Sequence, residues 1–264
     1  MKTEDKANKE DLAKHLASSW EKGEGVQPVT ELTPNLSIEE AYQVQLQTVE
    51  ENIKNGQRIT GKKIGLTSKA MQEKLGVSEP DYGHLLDDMA VGNGETIASK
   101  RVLQPMVEGE IAFILKKDLV GPDVTTLDVL QATDAVVPAL EIVDSRIKDW
   151  KITLPDTIAD NASSGLYVLG EQPKKLADID LKQMGMALFK NDELQNTGVG
   201  AAAMDDPAKC VAWLANKLAA YDIRLKAGEV ILSGALSAAI EGKPGDTFRA
   251  KFADLGTVHV SFEE

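Results

Sequence analysis

Val107-Glu108-Gly109-Glu110-Ile111-Ala112-Phe113-Ile114-Leu115 is the stretch on which the reading of this 264-residue chain turns. Its β-branched and aromatic run predicts a strand. Residues i and i+2 of a strand face the same way, so Glu108 and Glu110 share one side with Met106 and Ala112. The continuation is apolar on both sides, which predicts a covered strand rather than an edge. Two adjacent carboxylates on such a strand repel and lose hydration unless a positive charge sits between them, or unless they lie at the strand's wet end.

Further along, Ala135-Val-Val-Pro-Ala-Leu-Glu-Ile-Val143 places a single carboxylate, Glu141, in an otherwise apolar strand. A lone buried carboxylate pairs with Arg or Lys or binds a metal, and Arg146 is a candidate ion-pair partner. Glu108, Glu110 and Glu141 together would suit a hard divalent cation, Mg²⁺ or Mn²⁺, with water or substrate completing the shell. The composition leaves few other metal sites. The three histidines (His15, His84, His259) are too few for a His-rich centre, and the single Cys210 excludes an intrachain disulfide framework and a thiolate-built zinc or iron–sulfur site within one chain.

The chain carries 29 Lys plus Arg against 42 Asp plus Glu, a net charge of −13. That balance argues against a nucleic-acid or anionic-membrane partner, both of which attract basic surfaces. It does not exclude a small anionic substrate, which responds to local charge. The charged start lacks the apolar core of a secretory signal. Apolar runs such as Ile111 to Leu115 fall far short of the ~20 residues needed to span a bilayer. A cytoplasmic protein is expected. At about 150 residues per domain the length fits one large domain, or a small one plus a large one.

The first 55 residues read as helix. Leu12, Leu16 and Trp20 recur every four residues until Gly23 and Gly25 stop the pattern. Ser37 with Glu40 forms a capping box that opens a second helix to about Lys54, with Ala41, Val44, Leu46 and Val49 as its apolar positions, ended by Asn55-Gly56. A short strand follows at 62–66 and a short helix at 68–75. Strands are expected at 102–117, 135–144, 165–170, 185–190, 229–233, 247–252 and 257–262, interrupted by helices at 126–133 and from Asp206-Pro207 to about Tyr221. Gly198-Val-Gly-Ala-Ala-Ala203 mimics a dinucleotide-binding turn, but it follows a hairpin and no helix starts before Asp206, so the strand–turn–helix context is missing. His15 and His259 are expected at the surface. No nucleophile elbow or phosphate loop occurs.

Several blocks then line up with one family. Gly61-Lys-Lys-Ile-Gly-Leu-Thr67, Glu79-Pro-Asp-Tyr-Gly83 with Leu86-Asp-Asp-Met89, Val107-Glu-Gly-Glu-Ile-Ala-Phe113, Pro138-Ala-Leu-Glu-Ile-Val-Asp-Ser-Arg-Ile147, Asp156-Thr-Ile-Ala-Asp-Asn-Ala-Ser-Ser-Gly165 and Ile231-Leu-Ser-Gly-Ala-Leu236 resemble the 2-keto-4-pentenoate (2-hydroxypenta-2,4-dienoate) hydratases. These belong to the fumarylacetoacetate hydrolase-like superfamily and act in meta-cleavage degradation of aromatic compounds. The likeness runs from about residue 9 to the end. It implies an α+β fold, a mixed β-sheet roll with a helical N-terminal portion. The expected division is a mainly helical 1–85, which contributes Lys63 and Asp81, and a β-rich catalytic 86–264.

The resemblance also implies chemistry. Glu108, Glu110 and Glu141 would hold Mg²⁺ or Mn²⁺, and a 2-oxo acid would chelate that ion through its carboxylate and 2-oxo oxygens. The dienol would ketonise, water would add at carbon 4, and a proton would reach carbon 3, giving 4-hydroxy-2-oxopentanoate. Lys63 and Asp81 are the implied acid–base groups, although their residue types alone would fit a mutual salt bridge and a turn-capping Asp. Ser163 and Ser233 are candidates for holding the substrate carboxylate. The sister 4-oxalocrotonate (2-oxo-3-hexenedioate) decarboxylases share the Glu-x-Glu pair and the Asp-Asn-Ala-Ser block. Acidic Asp81 is hydratase-like, whereas Asp144 stands where the hydratase pattern has Gly and the decarboxylase pattern has Asp. A homo-oligomer is implied, as is association with a sister decarboxylase or hydratase or a downstream aldolase. A non-catalytic companion subunit is the alternative outside enzymology.

Overall fold

The structure is a computed structural model and describes residues 8–264. Residues 1–7 of the expected N-terminal helix lie outside the described residues. Helix α1 (Lys9–Lys22) is opened by Asn8, whose side chain accepts from the Asp11 N–H, and is ended by left-handed Gly23. It buries Leu12 and Leu16, but Trp20 is 44% exposed; Ser19 takes the buried position in that turn. After the short α2 (Val29–Leu32), helix α3 (Ile38–Lys54) starts at the expected capping box, Ser37 Oγ accepting from Glu40 N–H and Glu40 accepting from Ser37 N–H. Only Gly56 of the terminating pair is left-handed; Asn55 has φ −81°.

The strands are β1 (Ile59–Gly65), β2 (Asp81–Leu86), β3 (Ala90–Val91), β4 (Thr96–Ile97), β5 (Pro105–Leu115), β6 (Thr133–Asp144), β7 (Ser164–Leu169), β8 (Gly185–Lys190), β9 (Glu193–Val199), β10 (Val230–Leu232), β11 (Ile240–Glu241), β12 (Thr247–Phe252) and β13 (Gly256–Phe262). The later helices are α4 (Lys69–Leu75), α5 (Thr126–Ala132), α6 (Leu154–Ala159) and α7 (Pro207–Leu218). Among the described residues they build an eight-stranded sheet, ordered β2-β1-β10-β5-β6-β7-β3 with β11 added to β5, and a five-stranded sheet, ordered β4-β13-β12-β8-β9.

Residues 1–85 supply more than helices. Their β1 and β2 are strands of the large sheet, β1 running parallel to β10, and the expected boundary after residue 85 falls inside β2. Sequence alternation did not reveal β2, because all six of its residues are buried and Gly83 interrupts the apolar run.

Register decides what shares a side of the large sheet. Glu108 pairs with Glu141, Glu110 with Ala139, and Glu141 with Tyr167. Ala112 pairs with Leu232, Leu232 with Lys63, Lys63 with Gly83, and Gly65 with Asp81. Partners in register point to one side. That side therefore carries Asp81, Lys63, Glu108, Glu110 and Glu141. Leu85, Ala112, Val137, Ala139, Tyr167 and Leu232 form a separate buried cluster on the same side, Ala139, Tyr167 and Leu232 being the register partners of Glu110, Glu141 and Lys63. The sheet is rolled around them: the Tyr167 hydroxyl on β7 meets the Thr60 hydroxyl on β1 at 3.1 Å, across three intervening strands. On the opposite side, Val107, Ile111 and Phe113 join the main core, and Gly109 lies against Met186 of the second sheet, where a Cβ would be 3.1 Å from its methyl carbon.

Candidate metal centre

Glu108, Glu110 and Glu141 each offer a carboxylate oxygen, and these atoms lie within 4.8 Å of one another. β5 supplies two of them by its period of two, and antiparallel pairing brings Glu141 directly opposite Glu108. Glu110 and Glu141 are buried and Glu108 is half-buried, so the cluster opens on the Glu108 side. Glu110 Oε2 accepts the Gly234 N–H at 2.8 Å, but Glu110 Oε1 and both oxygens of Glu141 have no hydrogen-bond partner among the described residues. Buried carboxylate oxygens without donors are rare and costly. A hard divalent cation fits this all-oxygen set and would satisfy those atoms.

Among the described residues the cluster's one close positive charge is Lys63. Its Nζ stands 3.1 Å from Glu141 Oε1, an ion-pair distance without hydrogen-bond alignment. Burial alone would pull the ammonium down, but Glu141, then Asp81, Glu108 and Glu110, overrule it and hold Lys63 above its ordinary value. Burial and then Glu141 push Glu108 up to about 7, against the pull of Lys63. Glu110 is raised well above the usual carboxylate range by burial, then by Glu141 and Glu108, with the Gly234 N–H opposing. The alternative of an ion pair between Glu141 and Arg146 is not realised. Arg146 instead reaches Asp160, Nε to Oδ1 at 2.5 Å, and donates to the carbonyls of Asp144, Ser164 and Asp160.

Asp81 enters at the start of β2, beside Gly65. A Cβ on Gly65 would stand 2.2 Å from Asp81 Oδ1 and 3.4 Å from Lys63 Nζ, so the missing side chain is what lets both groups occupy this space. Asp81 Oδ1 has no hydrogen-bond partner among the described residues, and Oδ2 lies 3.5 Å from Thr157 Oγ1. Burial raises the Asp81 carboxyl and Lys63 lowers it, with a net upward shift. The carboxylate neither caps a turn nor forms an ion pair with Lys63.

The two serines differ. Ser163 Oγ meets Thr157 Oγ1 at 3.2 Å and so joins the Asp81 neighbourhood. Ser233 gives its hydroxyl proton to the Ile111 carbonyl at 2.8 Å, and its turn serves Glu110 through the Gly234 N–H. Sequence reasoning missed Thr157 and Gly234, although both sit in the quoted blocks. Asp144, the departure from the hydratase pattern, accepts the Leu103 and Gln104 N–H groups at 2.9 and 2.7 Å and points to the side of β6 away from Glu141. It holds a loop and does not face the cluster.

Residues 58–263 match the family described as fumarylacetoacetate (FAA) hydrolase C-terminal. The chain is 45% identical over 255 residues to a 2-keto-4-pentenoate hydratase of Paraburkholderia xenovorans, covering 97% of this chain and 95% of that one. It is 50% identical over 220 residues to a 2-hydroxypent-2,4-dienoate hydratase of Pseudomonas putida, covering 83% and 99%. Among solved structures, a 4-oxalocrotonate decarboxylase from Pseudomonas putida, complexed with magnesium and adipate, superposes with a TM-score of 0.93 at 34% identity, covering 96% and 97%.

Proposed function

The chain belongs to the fumarylacetoacetate hydrolase family, and within it we propose a metal-dependent hydratase that adds water to 2-hydroxypenta-2,4-dienoate to give 4-hydroxy-2-oxopentanoate. The observation that carries this reading is the convergence of three carboxylates with unpartnered buried oxygens beside Lys63 and Asp81. Glu108, Glu110 and Glu141 would hold Mg²⁺ or Mn²⁺. Such an ion supplies Lewis acidity that polarises a 2-oxo group and stabilises negative charge on an enolate oxygen.

The chain's own groups handle the protons. Lys63, kept charged by the carboxylates around it, is a donor toward the substrate's enol system. Asp81 Oδ1, buried and free of donors, can accept a proton from the water that attacks carbon 4. Ser163, which meets Thr157 beside Asp81, would donate to the substrate carboxylate.

The test is turnover by the purified chain with Mg²⁺ and freshly generated 2-hydroxypenta-2,4-dienoate, reading 4-hydroxy-2-oxopentanoate by mass spectrometry. Absence of product with the ion present, or full activity after chelation, overturns the reading. The structural likeness to the decarboxylase gives a second reading a specific basis. Release of carbon dioxide from 2-oxo-3-hexenedioate, with no hydration of the dienoate, would favour it. A non-catalytic companion role is disfavoured by the complete carboxylate trio. Among the described residues no helix is long and apolar enough to cross a membrane. A cytoplasmic homo-oligomer that associates with a sister decarboxylase or a downstream aldolase completes the proposal; light scattering and co-purification check it.

A further inference from the structure

Between α6 and β7 three consecutive non-glycine residues lie in the left-handed region: Asn161 (φ 55°), Ala162 (φ 51°) and Ser163 (φ 51°). Asn tolerates this conformation, but Ala and Ser bring Cβ too close to the backbone. Such a turn persists only where its surroundings over-determine it, and backbone strain of this kind concentrates at functional sites.

The surroundings are specific. Asn161 Nδ2 donates to the His84 carbonyl at 2.9 Å, while Asn161 Oδ1 accepts the His84 N–H at 2.8 Å. This is the pair of bonds a neighbouring strand would make. β2 is the terminal strand of its sheet, so one side chain stands in for the missing strand. Gly83 permits the contact: a Cβ there would lie 2.3 Å from the Asn161 carbonyl oxygen and 2.6 Å from Ser164 Oγ. Ser164 Oγ closes the turn by donating to the Asn161 carbonyl at 2.7 Å. At the turn's other end Ser163 meets Thr157, which reaches Asp81, three residues before His84 on the same strand. The turn and the strand are thus tied at two points, Asn161 to His84 and Ser163 through Thr157 to Asp81.

We propose that Asn161 is a positioning residue: by clasping the left-handed turn to β2 it sets Asp81 and Ser163 in register with the carboxylate trio. The inference rests on the hydratase reading for its activity readout only. Asn161 itself touches neither the trio nor Asp81, and it acts through the backbone it holds.

The experiment uses Mn²⁺-loaded wild type, Asn161→Ala and Asn161→Asp, the last keeping the acceptor for the His84 N–H and losing the donor. Three quantities are read: dienoate turnover, Mn²⁺ affinity by titration calorimetry, and amide exchange of the peptide containing His84. The clasp predicts a kcat loss on the order of 10- to 100-fold for Asn161→Ala, since small misplacements of reacting groups cost that much. KM should change less than about threefold and Mn²⁺ affinity should hold, with faster exchange at His84. Asn161→Asp should fall between the two, and it keeps the comparison available if the alanine variant does not fold. A kcat within about twofold of wild type in Asn161→Asp and in any folded Asn161→Ala overturns the inference. So does a fall matched by equal loss of Mn²⁺ affinity, because Asn161 then supports the whole site rather than its alignment. If wild type does not hydrate the dienoate, the hydratase reading fails instead. The clasp is then judged by the affinity of the Mn²⁺-loaded proteins for pyruvate together with His84 exchange, and unchanged values in both overturn it.

Discussion

Lys62 and Lys63 are consecutive on β1 and both are buried, yet they face opposite sides of the sheet and meet opposite electrostatics. Among the described residues Lys62 has one ion-pair partner. Glu229 takes two hydrogen bonds from its ammonium, at 2.9 and 2.8 Å, and Glu229 Oε2 also accepts the Lys226 N–H. One charge meets one charge. Lys63 looks into four carboxylates, with Glu141 at ion-pair distance and several oxygens lacking any donor. Burial penalises both ammonium groups. For Lys62 it prevails over Glu229 and the shift is downward, whereas for Lys63 the surplus of anions reverses it. A buried pair that balances serves the fold. A buried cluster with surplus negative charge is a site waiting for a cation or for chemistry.

Breaking the balanced side should produce the largest effect on stability. Glu229→Gln leaves the Lys62 ammonium buried without its counter-charge, and should destabilise by about 3–5 kcal/mol. In a chain of this size that is a melting-point drop on the order of 10 °C, read by calorimetry. Turnover per folded molecule should survive. Breaking the unbalanced side should do the reverse. Glu110→Gln should lower metal-dependent turnover by about 100-fold, equivalent to about 2.7 kcal/mol, without lowering the melting point of the metal-free protein, because it removes one of the mutually repelling charges. A parallel loss of melting temperature would show that Glu110 is structural.

Ligand linkage sharpens the same contrast. Mg²⁺ at about a hundred times its dissociation constant should stabilise wild type by about 2.7 kcal/mol. Glu229→Gln should gain the same increment, and Glu110→Gln at that concentration should gain much less. A smaller effect belongs to His84, which neighbours Lys62 on the outer side and gives its Nδ1–H to Gln45 Oε1 at 3.1 Å. Burial, then Lys62, lowers its pKa from 6.5 to about 3. The unfolded chain therefore takes up this proton first as pH falls, so the contribution is present above pH 6.5 and is lost progressively from there toward about 3. The slope is about 1.4 kcal/mol per pH unit. Urea unfolding of His84→Gln between pH 6.5 and 5 should be less pH-dependent than that of wild type by about that slope; equal slopes would remove His84 from the account.

Much of the unbalanced side was legible before the structure. A strand's period of two put Glu108 and Glu110 on one side, the apolar run argued for cover, and Glu141 stood out as the one charge between Ala135 and Val143. The helix caps at Ser37 and Asp206 are local and were readable for the same reason. The balanced side was not legible. Lys62 and Glu229 are brought together by the parallel pairing of β1 with β10, which no local pattern announces. Arg146 is five residues from Glu141 but turns to Asp160, because alternation along the chain sends it elsewhere. The Asn161 clasp hides similarly: it joins a turn to a strand 77 residues away.

The roll held by Tyr167 and Thr60 also insulates. Ala139, Tyr167 and Leu232 of its apolar cluster are the register partners of Glu110, Glu141 and Lys63. Apolar neighbours lower the local dielectric and strengthen every Coulombic contact beside them. The sheet that gathers the carboxylates thus also keeps their surplus charge poorly screened.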